Sequence, residues 1–124
     1  VQRAGAAGHG RTDTAAAGLW STAGDLARAL LALRDSHQGL PGALLTRESA
    51  AEMLAAHPDS LYGLGTLVDG TGSDTEYGHG GTAPGYHAVA AAGLARGSGL
   101  VVLTNADTGP HVVRALSAEP GHQA

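Results

Sequence analysis

The chain of 124 residues has the length of a single domain or of part of one. Its formal net charge is −4 and its seven Arg residues are scattered singly, so no nucleic-acid partner is expected. No apolar run approaches the roughly 20 residues that a membrane span needs. With no Cys, the chain has neither disulfides nor thiolate metal ligands. The sequence therefore does not indicate the cellular compartment of the protein.

The chain also contains no lysine. This absence excludes Schiff-base chemistry, phosphate-binding P-loops and Ser-x-x-Lys nucleophiles within these residues. No cofactor is expected.

The apolar content predicts a small core. Ala and Gly supply 45 residues, Phe and Ile are absent, and Leu plus Val number only 23. Each fully buried large apolar side chain stabilises by about 1.5–3 kcal/mol, so few such residues give a weak core. We expect a single partial domain, at best marginally stable alone, with a flexible lead-in at 1–16, a folded segment at 17–118 and a tail at 119–124.

The first element in chain order is a helix. Thr22 and Asp25 resemble a capping box, and the spacing predicts a helix over 23–37 that ends near Gly39. Three leucines recur at helical spacing along it: Leu26, Leu30 and Leu33.

A second, shorter helix is predicted to begin at Thr46 and to end at Pro58. Glu48 lies in its first turn, where a carboxylate favours the helix dipole.

From residue 61 onward, the spacing of the apolar residues changes from that of helices to that of strands. We expect strands at 61–68, from Tyr77 into a Gly-rich stretch, at 86–93 and at 99–104. Residues 95–98 fit a hairpin connection between the last two strands.

A last helix is predicted after the strands. Asp107 or Thr108 would cap it, and Pro110 would lie in its first turn. Two helices, three or four antiparallel strands and a final helix together predict an α+β fold with an antiparallel sheet and flanking helices.

The most unusual segment spans residues 77–86, where four glycines surround His79. Glycines strip side chains from the backbone, so a ligand or another strand can approach the main chain closely. Histidine can exchange protons near neutral pH. From spacing alone, a glycine-rich turn with a surface histidine is the more common explanation.

Five segments, in order, resemble the C-terminal part of the family of class C β-lactamases, D-Ala-D-Ala carboxypeptidases and related esterases, the penicillin-recognising serine hydrolases. The match covers roughly residues 15–116. The segments are residues 17–28 (AGLWSTAGDLAR), Leu44-Leu45-Thr46 with Met53-Leu54, residues 62–65 (YGLG), residues 77–81 (YGHGG) before Pro84-Gly85-Tyr86, and residues 100–105 (LVVLTN).

The resemblance implies the C-terminal portion of the β-lactamase/transpeptidase-like fold, with His79-Gly80-Gly81 as the family's third active-site box. It implies that His79 steers a substrate carboxylate or assists the general base. It also implies that the backbone N–H of Thr82 contributes to the oxyanion hole, and that Gly80 and Gly81 keep the strand clear of blocking side chains.

The chain departs from the family pattern at two motifs. It has neither the Ser-x-x-Lys nucleophile nor a Tyr-x-Asn box. We therefore expect a fragment of a serine hydrolase that is inactive alone and that takes a small-molecule or peptide substrate only together with an N-terminal part. The alternative is a non-catalytic remnant that acts as a small binding or interaction module.

The sequence also offers a nucleophilic pair and a metal site as alternatives. Ser21 with His79 as base would form a nucleophilic pair, but Ser21 fits a helix entry better. His79 and His87 with Asp74 or Glu76 lack the spacing of known zinc motifs, so no metal site is expected.

Three further residues fit structural roles better than functional ones. Trp20 is predicted to be a packing anchor, and Asn105 and Asp107 to form a turn and a helix cap.

Overall fold

The computed structural model describes residues 18–117, so the predicted lead-in at 1–16 and tail at 119–124 lie outside the described residues. It confirms the α+β fold with one antiparallel sheet and flanking helices. The elements are α1 (Ala23–Gln38), α2 (Arg47–Met53), β1 (Leu67–Asp69), a short 3-10 turn (Gly72–Asp74), β2 (Glu76–Ala83), β3 (Tyr86–Gly93), β4 (Gly99–Thr104) and α3 (Gly109–Ser117).

The four strands lie in the order β1-β2-β3-β4, and each neighbouring pair is antiparallel. β3 pairs along its length with both neighbours, whereas the three residues of β1 reach only the first part of β2. Sequential strands connected by short turns account for this simple meander.

α1 forms where the sequence predicted it. Thr22 Oγ1 accepts the backbone N–H of Asp25 at 3.1 Å, and Gly39 ends the helix in the left-handed conformation, with φ 69°. Both ends of α1 are therefore capped by residues suited to those positions.

The core lies between α1 and one face of the sheet. Tyr77 on β2 is 1% exposed, and it pairs with Val68 on β1 and Ala92 on β3. The Tyr77 hydroxyl donates to the backbone oxygen of Leu30 on α1 at 2.7 Å. The core cluster is Leu54, Val68, Tyr77 and Ala92, with Leu30, Leu33 and Leu94 packed against it.

α3 covers part of the opposite face, where it contacts β3 and β4. At its start, Gly109 lies so close to His87 and Thr104 that a Cβ would collide with their side chains. Pro110 lies in the first turn, as predicted. No helix of residues 18–117 is long and apolar enough to cross a membrane.

The prediction that Pro58 ends α2 is wrong, because the helix ends at Met53. The backbone oxygen of Met53 accepts the N–H of Leu64 at 3.2 Å, and Gly63 packs directly against that carbonyl. The end of α2 is thus determined by the loop that folds back on it.

The predicted strand at 61–68 is also wrong over most of its length, since only Leu67–Asp69 forms β1. Gly65 adopts a left-handed φ of 73°, which turns the chain and brings Tyr62 back to bridge Leu67. The N–H of Gly63 donates to Thr66 at 2.8 Å across this turn. A tight loop therefore replaces the first half of the predicted strand.

Substitution of Tyr77 tests the packing of α1 on the sheet. Burial raises the pKa of Tyr77 from 10.0 to about 12, with Arg34 lowering it and Asp35 raising it to smaller extents. The folded state favours the neutral phenol, so this stabilisation is complete below pH 10 and is lost as the pH rises toward 12. Because the chain has no Lys or Cys, few other groups titrate in that range.

We expect Tyr77→Phe to lower the free energy of unfolding at pH 7 by about 0.5–1.5 kcal/mol, the value of one hydrogen bond. It should also remove most of the loss of stability between pH 10 and 12. Urea unfolding across this pH range measures both effects. Tyr86→Phe is the control, because Tyr86 is 43% exposed. Equal alkaline destabilisation of wild type and Tyr77→Phe would contradict the packing described.

Candidate functional site

The second half of β2 forms an open edge of the sheet. β1 pairs with residues 76–78 of β2, and among residues 18–117 no strand continues along that side. Residues 79–83 therefore have β3 as a neighbour on one side and free space on the other. We call residues 79–83 the open edge of β2.

The alternation of the ladder determines which peptide groups face this edge. The N–H of Leu94 donates to the carbonyl oxygen of Thr75 at 2.9 Å, which identifies this pair as hydrogen-bonded. Hydrogen-bonded and non-hydrogen-bonded pairs alternate along antiparallel strands, and the register of β2 and β3 has no bulge. Odd-numbered residues of β2 thus bond β3, whereas Gly80 and Thr82 direct their N–H and C=O groups outward.

His79 lies at the start of the open edge and is exposed. Strand alternation puts its side chain on the same face as Tyr77, two residues earlier. Its ring meets that of Tyr62 edge-on, with ring centroids 5.8 Å apart and planes at 60°. The loop before β1 therefore contributes an aromatic contact that orients the His79 ring.

Gly80 and Gly81 leave the backbone of the open edge bare. Neither has a positive φ, and a Cβ at Gly81 would meet nothing within 4 Å. A Cβ at Gly80 would make ordinary contact with the oxygen of Ala88 at 3.5 Å, whereas one at Gly78 would collide with the sheet. The fold of the described residues thus requires glycine at 78 but not at 81.

Thr82 presents its backbone N–H at the open edge and is itself exposed. Its Oγ1 lies 2.9 Å from Nδ1 of His87, the residue opposite it on β3. This bond was not predicted from the sequence. The sequence does contain a signal for it, because a two-residue turn at Pro84-Gly85 sets a strand register in which Thr82 lies opposite His87.

The turn between β2 and β3 is held by a residue from the segment between β4 and α3. Gly85 has a φ of 78°, as required at the third position of a turn that has Pro84 at the second. Its N–H donates to Oδ1 of Asp107 at 2.7 Å. Asp107, one of the two residues predicted to cap α3, thus anchors this turn, and Asn105 lies in the bend after β4.

Ser21 and Trp20 lie at the entry to α1. Ser21 Oγ donates to the backbone oxygen of Thr22 at 3.3 Å, in keeping with its predicted place at the helix start. Trp20 is 51% exposed, so within the described part of the chain the prediction of a packing anchor is wrong.

The residues of the alternative metal site are not brought together. His79 lies on the face of Tyr77, and His87 lies on the opposite face, beside Thr82. Asp74 forms an exposed ion pair with Arg96 at 3.1 Å. Residues 18–117 contain no group of three or more His, Cys, Asp or Glu residues that could hold a metal ion.

A family model described as Beta-lactamase matches residues 1–119. The chain belongs to the beta-lactamase family. The resemblance drawn from the sequence is thereby confirmed, and the fold is that of a portion of a beta-lactamase-like domain. A search of curated proteins found none that matches the chain.

Two solved structures are similar to this member of the beta-lactamase family. The crystal structure of SurE with D-Leu is 26% identical with a TM-score of 0.68, covering 79% of this chain and 25% of that one. The crystal structure of SurE is 26% identical with a TM-score of 0.69, covering 84% and 26%. The chain thus spans about a quarter of the length of these structures.

Hydrogen exchange tests the open edge. After correction for intrinsic rates, we expect the amides of Gly80 and Thr82 to exchange about tenfold or more faster than those of His79 and Gly81. The reason is that only the odd-numbered amides donate to β3. Residue-resolved exchange by NMR measures this alternation, and equal protection at Gly81 and Thr82 would contradict the open edge.

Proposed function

We propose that the chain supplies one wall of the acyl-transfer site of a serine hydrolase in the beta-lactamase family. The observation that carries this proposal is the open edge, where the His79 side chain and the outward Thr82 N–H lie three residues apart on one strand. Backbone groups at a free edge can pair with an extended substrate segment, as in strand addition. The bare backbone at Gly80 and Gly81 lets such a segment approach closely.

In this proposal, Thr82 contributes one donor of the oxyanion hole. Its N–H is oriented by the strand and is free of the β3 ladder, so it needs no rearrangement when charge develops on the substrate oxygen. Loss of one such donor costs about 2.7–4 kcal/mol of transition-state stabilisation in serine hydrolases.

His79 has the role of recognising the substrate carboxylate or of assisting the general base. Histidine can carry a positive charge, or give and take a proton, near neutral pH. Its exposure and the edge contact with Tyr62 support this role, because the ring is accessible and its orientation is restrained.

The catalytic serine is proposed to lie on polypeptide outside these residues. The family motifs Ser-x-x-Lys and Tyr-x-Asn are absent from the sequence, which contains no lysine. Several apolar side chains of the described residues are also exposed, among them Leu19, Leu44 and Leu64, as expected of a partial domain that packs against further chain. The chain alone is then inactive.

The substrate class is proposed from the open edge and from the similar structures. One of these structures is that of SurE with D-Leu. We propose that the site takes the carboxylate end of a D-amino-acid-containing peptide or a related amide, ester or β-lactam. The competing proposal, a non-catalytic binding module, is supported by the absence of lysine.

Titration with D-leucine tests the carboxylate site. Productive substrate binding needs the further polypeptide, but the carboxylate contacts lie on this chain, so we expect weak, millimolar binding that shifts the Gly80 and Thr82 amide resonances. His79→Ala should weaken this binding by about threefold or more through loss of a charge-assisted hydrogen bond. His111→Ala is the matched control, because His111 is an exposed histidine on α3. Binding elsewhere on the chain, or binding unaffected by His79→Ala, would count against the proposal.

Reaction with a fluorophosphonate serine probe tests the missing nucleophile. We expect no covalent adduct on the chain, because none of its serines has a lysine to activate it. Intact-mass spectrometry detects such an adduct. Stoichiometric labelling of Ser21 would show that the chain carries its own nucleophile and would overturn this part of the proposal.

A further inference from the structure

We propose that His87 is a positioning residue that holds Thr82, and therefore the Thr82 backbone N–H, in place at the open edge. This inference rests on the proposed function, since it assigns His87 a part in forming the oxyanion hole. Nδ1 of His87 lies 2.9 Å from Oγ1 of Thr82, so the two side chains form a hydrogen bond across β2 and β3.

The position of this bond in the ladder makes it important for restraining Thr82. Thr82 and His87 form a non-hydrogen-bonded pair, since the paired backbone bonds belong to the odd-numbered residues of β2. The ladder holds the Thr82 N–H only through the planar peptide that it shares with the Gly81 carbonyl, and it gives the Thr82 carbonyl and side chain no bond to β3. Side chains of such pairs lie closest together, so the bond between Oγ1 and Nδ1 adds a second restraint, at the side chain of Thr82.

The two residues differ in how firmly they are held. Thr82 is exposed on a strand with one free side, whereas His87 is half-buried on β3, between two neighbouring strands. The backbone oxygen of His87 accepts the hydroxyl of Thr104 at 3.1 Å. Gly109, at the start of α3, packs against the side chains of both His87 and Thr104 without space for a Cβ.

His87 thus connects the packed side of the sheet to the open edge. β4 and α3 fix the position of His87, and His87 fixes that of Thr82. Precise placement matters for an oxyanion donor, because a small displacement from the developing charge lowers catalysis strongly. His87 lies on β3, on the side of β2 away from the outward backbone groups, and its bond is to the Thr82 side chain, so it acts through Thr82.

The test uses Thr82→Val, which keeps the shape of the side chain and removes the hydroxyl, and His87→Phe, which keeps a planar ring without nitrogen. Without ligand, we expect Thr82→Val to shift the 15N resonance of His87 Nδ1. We expect both variants to increase motion of the residue-82 amide, measured by 15N relaxation. Thr82→Ser, which keeps the hydroxyl, should behave as wild type, and His111→Phe is the control for loss of a histidine elsewhere.

Binding of D-leucine adds a second measurement. Each single variant should weaken binding by about three- to tenfold, in keeping with loss of one hydrogen bond. The double variant should be no weaker than either single one, because both remove the same bond. Additive effects, or wild-type amide dynamics in His87→Phe and Thr82→Val, would overturn the role of His87.

The two proposals fail in different ways. If wild type does not bind D-leucine but the variants change the residue-82 amide as expected, the carboxylate site is wrong and the restraint by His87 is right. If D-leucine binds wild type and both variants alike, the site stands and the positioning role is wrong.

Discussion

The short length of β1 is the constraint on which the candidate site depends. A longer β1 would pair with all of β2 and use the outward backbone groups of Gly80 and Thr82 in the ladder. Two glycines in left-handed conformations bound the strand, Gly65 before it and Gly70 after it. Gly70 also approaches the backbone of Asp74 so closely that a Cβ would collide. Because Leu67 lies opposite Gly78, the turn at Gly65 leaves the edge beyond residue 78 uncovered, and the turn at Gly70 ends β1 on the other side.

An open edge with two glycines is unfavourable for folding, since glycine weakens strands and unpaired edges invite association. The rest of the described structure compensates at defined points. Tyr77 ties β2 to α1 through Leu30, and Asp107 holds the turn at Gly85. His87 adds a bond to Thr82 where the ladder has none. These three bonds hold β2 in the sheet, and they thereby also orient its outward N–H groups.

The sequence predicted most elements of the fold correctly, because their signals are local. α1 carries its own caps at Thr22 and Gly39, and β3 and β4 are apolar runs separated by a turn. The end of α2 and the start of β1 were predicted wrongly. Both depend on the loop at 54–66, which turns at Gly65 and packs Gly63 against the end of α2. Local sequence patterns do not predict such a tertiary contact.

The candidate site was predictable in part. The glycines around His79 and the family resemblance identified the strand and the order of its residues. The bond between Thr82 and His87, the contact between His79 and Tyr62, and the use of Asp107 were not foreseen. Each depends on strand register or loop packing, which join residues distant in sequence.

The central claim is that this chain forms one wall of a serine hydrolase site whose nucleophile lies on further polypeptide. Sequencing the reading frame upstream of Val1 tests it most directly. The account predicts an in-frame Ser-x-x-Lys motif followed by a Tyr-x-Asn-like motif. A start codon at or just before Val1, with neither motif encoded, would contradict it and would favour a non-catalytic binding module.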